Sequence, residues 1–406
     1  MCKYRLLDAC FLVIRFKYKK SPEVELENYD VAVVRCKTYN AEAVKPALEE
    51  AVNAVNGLDF VKPGMRIIIK PNLVSFKKPD AAATTHPALL EALVEMLLAR
   101  GADVTIGDSP GGPHSLPLLN RVYAATGMDR VEKLGAKLNR NMNEKTVDFP
   151  EGKVLKNFTY TEYLDEADAI IDFCKLKSHG MLGMSAAVKN LFGTIPGLKK
   201  PEVHYKFQND AEFADMLVDL NEYFKPRLAI CDAVVGMEGN GPTAGTPRQI
   251  GAIIASKSTY YADVVGAELI GMNIDGLPTL QAAYKRGFAP ASSKNLRVYG
   301  DIRALTVDDF KAPPVRGLSF MRKGNVLHFI SKAALEHKPT LKKRFCVGCG
   351  ECARMCPAKA IEMKNKKPHI NREKCIRCFC CQEFCPRAAM VAHRPLAAKV
   401  LNKLKL

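Results

Sequence analysis

The sequence predicts an α/β protein: a three-layer, mostly parallel sheet domain followed by a small α+β module. Three observations predict it. From residue 31 to about 300, short β-branched runs alternate with helix-length amphipathic stretches. The strand runs are almost continuously apolar, as parallel strands covered on both faces are. Beyond that region the alternation stops, and nine of the fourteen cysteines crowd between Cys346 and Cys385.

VAVVRC (31–36) reads as the first strand, and AEAVKPALEEAVNAV (41–55) as an amphipathic helix. RIIIKPN (66–72) is the next strand, then the helix PALLEALVEMLLAR (87–100) with Gly101 as its stop. DVTIGDS (103–109), ADAIIDFCKL (167–176), RLAICDAVV (227–235) and QIGAIIAS (249–256) continue the strands, with helices near 210–223 and 259–271. One helix between successive strands indicates a layered sheet. Residues 1–30 read as an N-terminal extension, without the cleavage site of a signal peptide. Residues 31–300 form the α/β domain, and 301–340, with their prolines and basic residues, a connector. The cysteine-rich module spans 341–392, and 393–406 is a basic tail.

Composition narrows the class. Hydrophobic residues make up 48% and charged residues 25%, which is ordinary for a globular protein. No apolar run reaches the ~18 residues that a spanning helix needs, so no membrane span is expected. The net charge is +17, of which +13 lies from Ser331 onward. Those basic residues interleave with cysteines and lack a recognition helix or aromatic platform, so docking of an acidic redox partner is expected over nucleic acid. Clustered cysteines without a pairing rhythm indicate metal use in a reducing compartment, and a cytoplasmic location follows as the expectation.

The strongest signal is Cys346-x2-Cys349-x2-Cys352-x3-Cys356-Pro, repeated as Cys375-x2-Cys378-x2-Cys381-x3-Cys385-Pro. A cubane cluster needs four thiolates. Three closely spaced ones wrap one face, and in two-cluster ferredoxins the fourth comes from the other repeat. Cys346, Cys349, Cys352 and Cys385 are therefore expected on one [4Fe–4S] cluster, and Cys375, Cys378, Cys381 and Cys356 on the second. Zinc also accepts C-x2-C spacing, but two complete copies, each with its proline, favour iron and sulfide. Residues 357–374 leave room for a hairpin carrying AIEM and PHI. Cys380 is expected to be a spare thiol pointing away. This segment is similar to bacterial-type two-cluster ferredoxins along its whole length, and the resemblance implies low-potential electron carriage.

In open α/β sheets, ligands bind beyond the carboxyl ends of the strands. Lys175, Lys177 and His179 leave one strand there, with Lys189 and Asn190 on the next helix and His204 further on. They are candidates to bind an anion and relay protons: His179, Lys177 and Lys189 as catalytic residues, Lys175 and Asn190 as substrate-binding ones. Asp108 in the loop GDSPGG (107–112), Asp232, and Lys70 of Lys70-Pro71-Asn72 join them as substrate-binding candidates. The glycine loop matches neither the dinucleotide fingerprint nor the phosphate-binding P-loop, and a plain turn is its simpler reading.

The segments IIIKPNLV (67–74), GDSPGG (107–112), KLKSH…AAVKNLFGTIPG (175–197) and DAVVGMEGNGPTAGTPRQIG (232–251) resemble the domain-of-unknown-function family 362. That family often joins this domain to a C-terminal two-cluster ferredoxin, and the resemblance implies no settled substrate. The VKN…IPG…H stretch is more loosely similar to lactate-racemase-like proteins, which use a nickel-pincer nucleotide but lack the ferredoxin. No nickel ligand is carried over. The expected function is a ferredoxin-coupled oxidoreductase acting on a small anionic substrate or cofactor. Two other classes stand beside it: an electron carrier or docking protein without a catalytic site, and non-redox racemase- or lyase-like chemistry. No flavin or nicotinamide fingerprint is present, so any additional cofactor is left unnamed.

Overall fold

The structure is a computed structural model that describes residues 28–312 and 338–393. Most of the N-terminal extension, of the connector and of the basic tail lies outside the described residues.

Strand β1 (Val31–Arg35) leads into helix α1 (Ala41–Ala54). Next come β2 (Arg66–Pro71), α2 (Pro87–Leu98), β3 (Asp103–Ile106), α3 (Leu116–Thr126), the short α4 (Asp129–Glu132) and β4 (Lys137–Leu138). Gly101 follows α2 at φ +76, a left-handed conformation that suits glycine at a helix end. A separate antiparallel hairpin, β5 (Glu144–Asp148) and β6 (Asn157–Thr161), interrupts the alternation. The long β7 (Ala169–His179), β8 (Gly183–Ser185), α5 (Ala187–Asn190), α6 (Lys199–Lys206) and α7 (Asp210–Phe224) follow. The domain closes with β9 (Leu228–Glu238), β10 (Thr246–Ser256), α8 (Thr259–Leu269), α9 (Pro278–Lys285) and β11 (Val298–Tyr299).

The nine-stranded sheet runs β11-β1-β10-β9-β7-β2-β3-β4, with β8 paired to β7. Strands β9, β7, β2, β3 and β4 are mutually parallel. Strand β10 is antiparallel to both β9 and β1. The reason is connection length: a short loop joins β9 to β10, which permits only an antiparallel return, whereas a parallel crossover needs a dozen or more residues.

Alternate residues of each strand enter two cores. Val34, Ile67, Ile69 and Phe173 pack with Leu48 of α1 and Leu90 of α2 on one face. Val33, Ile68, Cys174 and Leu176 pack with Leu217 of α7 and Val265 of α8 on the other. This is the expected three-layer arrangement. Beyond Tyr299, Leu305 and Phe310 are buried in the second of these cores.

The cysteine-rich module is built from β12 (Lys338–Leu341), α10 (Glu351–Arg354), the hairpin β13 (Ile361–Lys364) and β14 (Lys367–Ile370), α11 (Cys380–Glu383) and β15 (Met390–His393). Strand β12 pairs with β15 and β13 with β14, both antiparallel. The hairpin falls on the expected AIEM and PHI segments. Among the described residues, no helix is long and apolar enough to cross a membrane.

Candidate functional site

Two cavities in the cysteine-rich module are each lined by four of the motif cysteines. Cys346, Cys349, Cys352 and Cys385 line one of about 330 Å³. Cys356, Cys375, Cys378 and Cys381 line the other, of about 310 Å³. The fourth thiol of each set comes from the opposite repeat. The chain reaches the cavities through tight left-handed positions, including Gly348 at φ +73 and Gly350 at φ +76. The amide of Ala360 donates to Cys356 Sγ and that of Ala389 to Cys385 Sγ, each at 3.2 Å. Amide bonds of this kind favour thiolate over thiol. Among the described residues, no group of three or more His, Cys, Asp or Glu converges tightly enough to hold a single metal ion. Four soft thiols spread around a cavity fit a polynuclear iron–sulfur cluster. Cys380 stands beside the ligand Cys381 at the start of α11. It is fully buried, lines the second cavity and is hydrogen-bonded to Cys378, a contact that with burial pushes its thiol pKa up.

At the carboxyl ends of β2, β3 and β7 lies a cleft of about 420 Å³ that includes Asn72, Asp108, Ser109, Lys177, His179, Lys189, Asn190 and Lys200. Lys177 leaves β7 into it and donates to Asn72 Oδ1 at 2.9 Å and to the Ala83 carbonyl at 2.8 Å. Burial lowers its pKa to about 7, against the pull of Glu383. Lys200 donates to the carbonyls of Ser109 and Ile195, and burial likewise lowers its pKa to about 7. The ammonium of Lys189 lies 4.6 Å from the centre of the Phe192 ring, and burial lowers its pKa too.

His179 Nδ1 accepts the amides of Met181 and Leu182, both at 3.2 Å. The ring proton is therefore on Nε2. Burial first, then Lys189, His204 and Lys177, holds the pKa of His179 well below the ordinary value. His179 is thus a neutral imidazole offering an N–H, not an imidazolium acid.

The other expected site residues have different surroundings. Lys70 and Asp108 form a buried ion pair at 2.8 Å, and Asp108 also accepts the amides of Leu73 and Ser109. A Cβ on Gly193 would strike both members of that pair, so only glycine lets the chain pass. Asn190 donates to Asp172 Oδ1 at 2.7 Å and to the Lys70 carbonyl, and accepts from Asn72, which fixes its amide within the protein. Lys175 and Asp232 are brought to each other instead of to the cleft. Their 2.8 Å ion pair is fully buried, with Tyr39 bonded to both. In the glycine loop three amides are occupied: Gly107 donates to the Ile69 carbonyl, Ser109 to that of Gly193, and Gly111 to that of Val74. His204 stacks on Phe213 and does not line the cleft.

The cleft has a wall that sequence reading missed. Glu383 of α11 lines it. Gln382 donates to the carbonyls of Asn240 and Gly241 at 2.9 and 3.0 Å, and the Thr243 hydroxyl donates to the Glu383 carbonyl at 3.2 Å. Phe384 fills the space that a side chain on Gly111 would need, and Phe379 is part of the larger domain's core. Residues 379–384 thus line the second cluster cavity through Phe379, Cys380 and Cys381 and the cationic cleft through Glu383. Lys200 and Glu383 were also overlooked as cleft residues. Lys200 has no sequence signal separating it from its solvent-facing neighbour Lys199, and Glu383 looks like one more charge among the cluster ligands.

The Domain of unknown function (DUF362) family matches residues 67–268, and the 4Fe-4S dicluster domain matches 338–386. A thylakoid-associated protein of Synechocystis sp. is 30% identical over 296 residues, which cover 70% of this chain and 88% of that protein. Among solved structures, the lactate racemase apoprotein from Thermoanaerobacterium thermosaccharolyticum is 15% identical with a TM-score of 0.38, over 59% of this chain. A Thermotoga maritima protein is 14% identical with a TM-score of 0.32, over 56% of this chain. The chain spans 56% and 58% of the lengths of those two proteins. With residues 67–268 and 338–386 matched, and a relative covered over most of its length, the chain belongs to the DUF362 family and is an iron–sulfur protein with a 4Fe-4S dicluster domain.

Proposed function

We propose that the chain is a ferredoxin-coupled oxidoreductase in which a dicluster domain (341–392) serves a small anion held in the cleft of an α/β domain (31–300). The observation that carries this reading is the shared wall: α11 and its flanks hold Cys378, Cys381 and Cys385 on one side and place Glu383 in the cleft on the other. Two [4Fe–4S] clusters, held by Cys346, Cys349, Cys352 and Cys385 and by Cys356, Cys375, Cys378 and Cys381, would supply electrons one at a time.

The chain's own residues do the rest. Lys177, Lys189 and Lys200 neutralise the anion, and His179 Nε2–H hydrogen-bonds an oxygen on which negative charge accumulates during reduction. A neutral imidazole suits that task, since its N–H polarises the oxygen without a competing charge. Lys177, poised near neutrality, can give a proton to the reduced product and regain it from water. Burial of the cleft keeps water from dissipating these interactions. Lys175, Asp232, Lys70, Asp108 and Asn190 support the cleft and do not contact the anion. The basic dicluster segment would dock an acidic electron donor, and cysteines clustered for metal use suit a reducing compartment such as the cytoplasm.

The test uses anaerobically purified protein whose co-purifying small anions are identified by mass spectrometry. Each is added to the reduced protein, and cluster absorbance is followed. At least one should reoxidise the clusters, and His179→Ala should slow this while leaving cluster content intact. Reoxidation at an unchanged rate in His179→Ala would remove that residue from the chemistry. If no co-purifying anion reoxidises the clusters, the oxidoreductase reading fails.

A further inference from the structure

The cleft is rich in hydrogen-bond donors and poor in acceptors. Lys189 is 8% exposed, and its ammonium has no hydrogen-bond or ion-pair partner among the described residues, only the face of Phe192. A buried cation in that position strongly favours a counter-charge. Lys177 and Lys200 each place two N–H groups on protein oxygens, which leaves one of three free on each. His179 Nε2 is buried without a partner and belongs to a residue lining the same space. On the acceptor side, Asp108 is committed to Lys70, Ser109 and Leu73. Glu383 is the remaining carboxylate in the lining, and its charge acts on all three lysines.

We propose that the cleft binds a small oxyanion carrying two negative charges, and that Glu383 sets this charge preference. The inference deepens the small-anion reading above and rests on it. Three ammoniums faced by one carboxylate leave two positive charges to be matched. A monoanion leaves one cation unmatched in a buried site, and a trianion overbalances the site against Glu383. Burial brings Lys177 and Lys200 to about 7, and an arriving anion stabilises their protonated forms, so the full charge is present when the anion is bound. The donors come from four separate side chains, which suits a compact ligand with several oxygens over a single carboxylate. Because Glu383 belongs to the dicluster domain, the module that holds the clusters also sets what the cleft accepts.

The experiment is calorimetric titration of the full-length, cluster-loaded protein under anaerobic conditions. The probes are sulfate for a tetrahedral dianion, oxalate for a dicarboxylate, and acetate for a monoanion. At least one dianion should bind tenfold or more tightly than acetate, and the stronger of the two identifies the ligand shape. Lys189→Gln should weaken that dianion at least tenfold, and Lys189→Arg should restore most of the loss. Glu383→Gln, with cluster absorbance unchanged, should tighten it several-fold. Acetate matching the dianions, no measurable binding of any probe, or unchanged dianion affinity in Lys189→Gln or in Glu383→Gln each overturns the inference. If dianions bind as expected but no candidate substrate reoxidises reduced clusters, the redox reading fails and the dianion site stands.

Discussion

The pair Lys175–Asp232 allows a quantitative test of the separation between supporting and ligand-binding charges. Both side chains are fully buried, 2.8 Å apart, and Asp232 also accepts the Tyr39 hydroxyl at 2.8 Å and the His86 amide at 3.0 Å. Asp232→Ala strands the ammonium with only the Tyr39 oxygen and orphans the His86 amide. Breaking one side of a buried ion pair costs about 3–5 kcal/mol. For a domain of this size, each kcal/mol shifts the unfolding midpoint by roughly 2 °C, so a fall of about 6–10 °C is expected. Removing both charges together, Lys175→Met with Asp232→Leu, leaves no stranded ion. Such replacements are often close to neutral, and here the lost acceptor for Tyr39 and His86 costs about 1 kcal/mol each. The double variant should therefore unfold closer to the wild type than Asp232→Ala does. Anaerobic thermal unfolding followed by circular dichroism, with cluster absorbance recorded in parallel, measures both. A fall below about 2 °C in Asp232→Ala, or a double variant no better than the single one, would refute the reasoning. Abolished sulfate binding with an unchanged midpoint would place Asp232 in the ligand site instead.

Further outcomes follow from the same geometry. Anion affinity should fall as pH rises through about 7, because burial places Lys177 and Lys200 there and only their protonated forms attract the ligand; sulfate titrations at several pH values measure this, and a flat profile would exclude them. Gly193→Ala forces a methyl group onto the Lys70–Asp108 pair, and overpacking of this kind costs about 1–3 kcal/mol, read as a lowered unfolding midpoint. Cys385→Ala should remove roughly half of the iron and sulfide, since each cavity draws its fourth thiol from the opposite repeat. Analysis showing both clusters intact would exclude Cys385 as a ligand.

The sequence by itself determined the α/β class, the order of the principal strands and helices, and the two cysteine quartets. Strand periodicity and C-x2-C-x2-C-x3-C-P spacing act over a few residues, so no long-range information is needed to read them. The hairpin that turns β10 antiparallel was also encoded locally, in the short loop after Glu238, but alternation alone does not report strand direction. Which cations reach the cleft was decided only by tertiary structure. Lys175 and Lys177 both point to one side of β7, yet Lys175 meets Asp232 and Tyr39 while Lys177 meets Asn72 and the Ala83 carbonyl. Those partners lie between 57 and 136 positions away in the chain. Glu383 joins the same cleft from a distant part of the sequence, because the loop 239–245 seats Gln382. A buried charge takes its role from whichever counter-group the fold packs against it, and that pairing is a property of three-dimensional contact, not of neighbours in sequence.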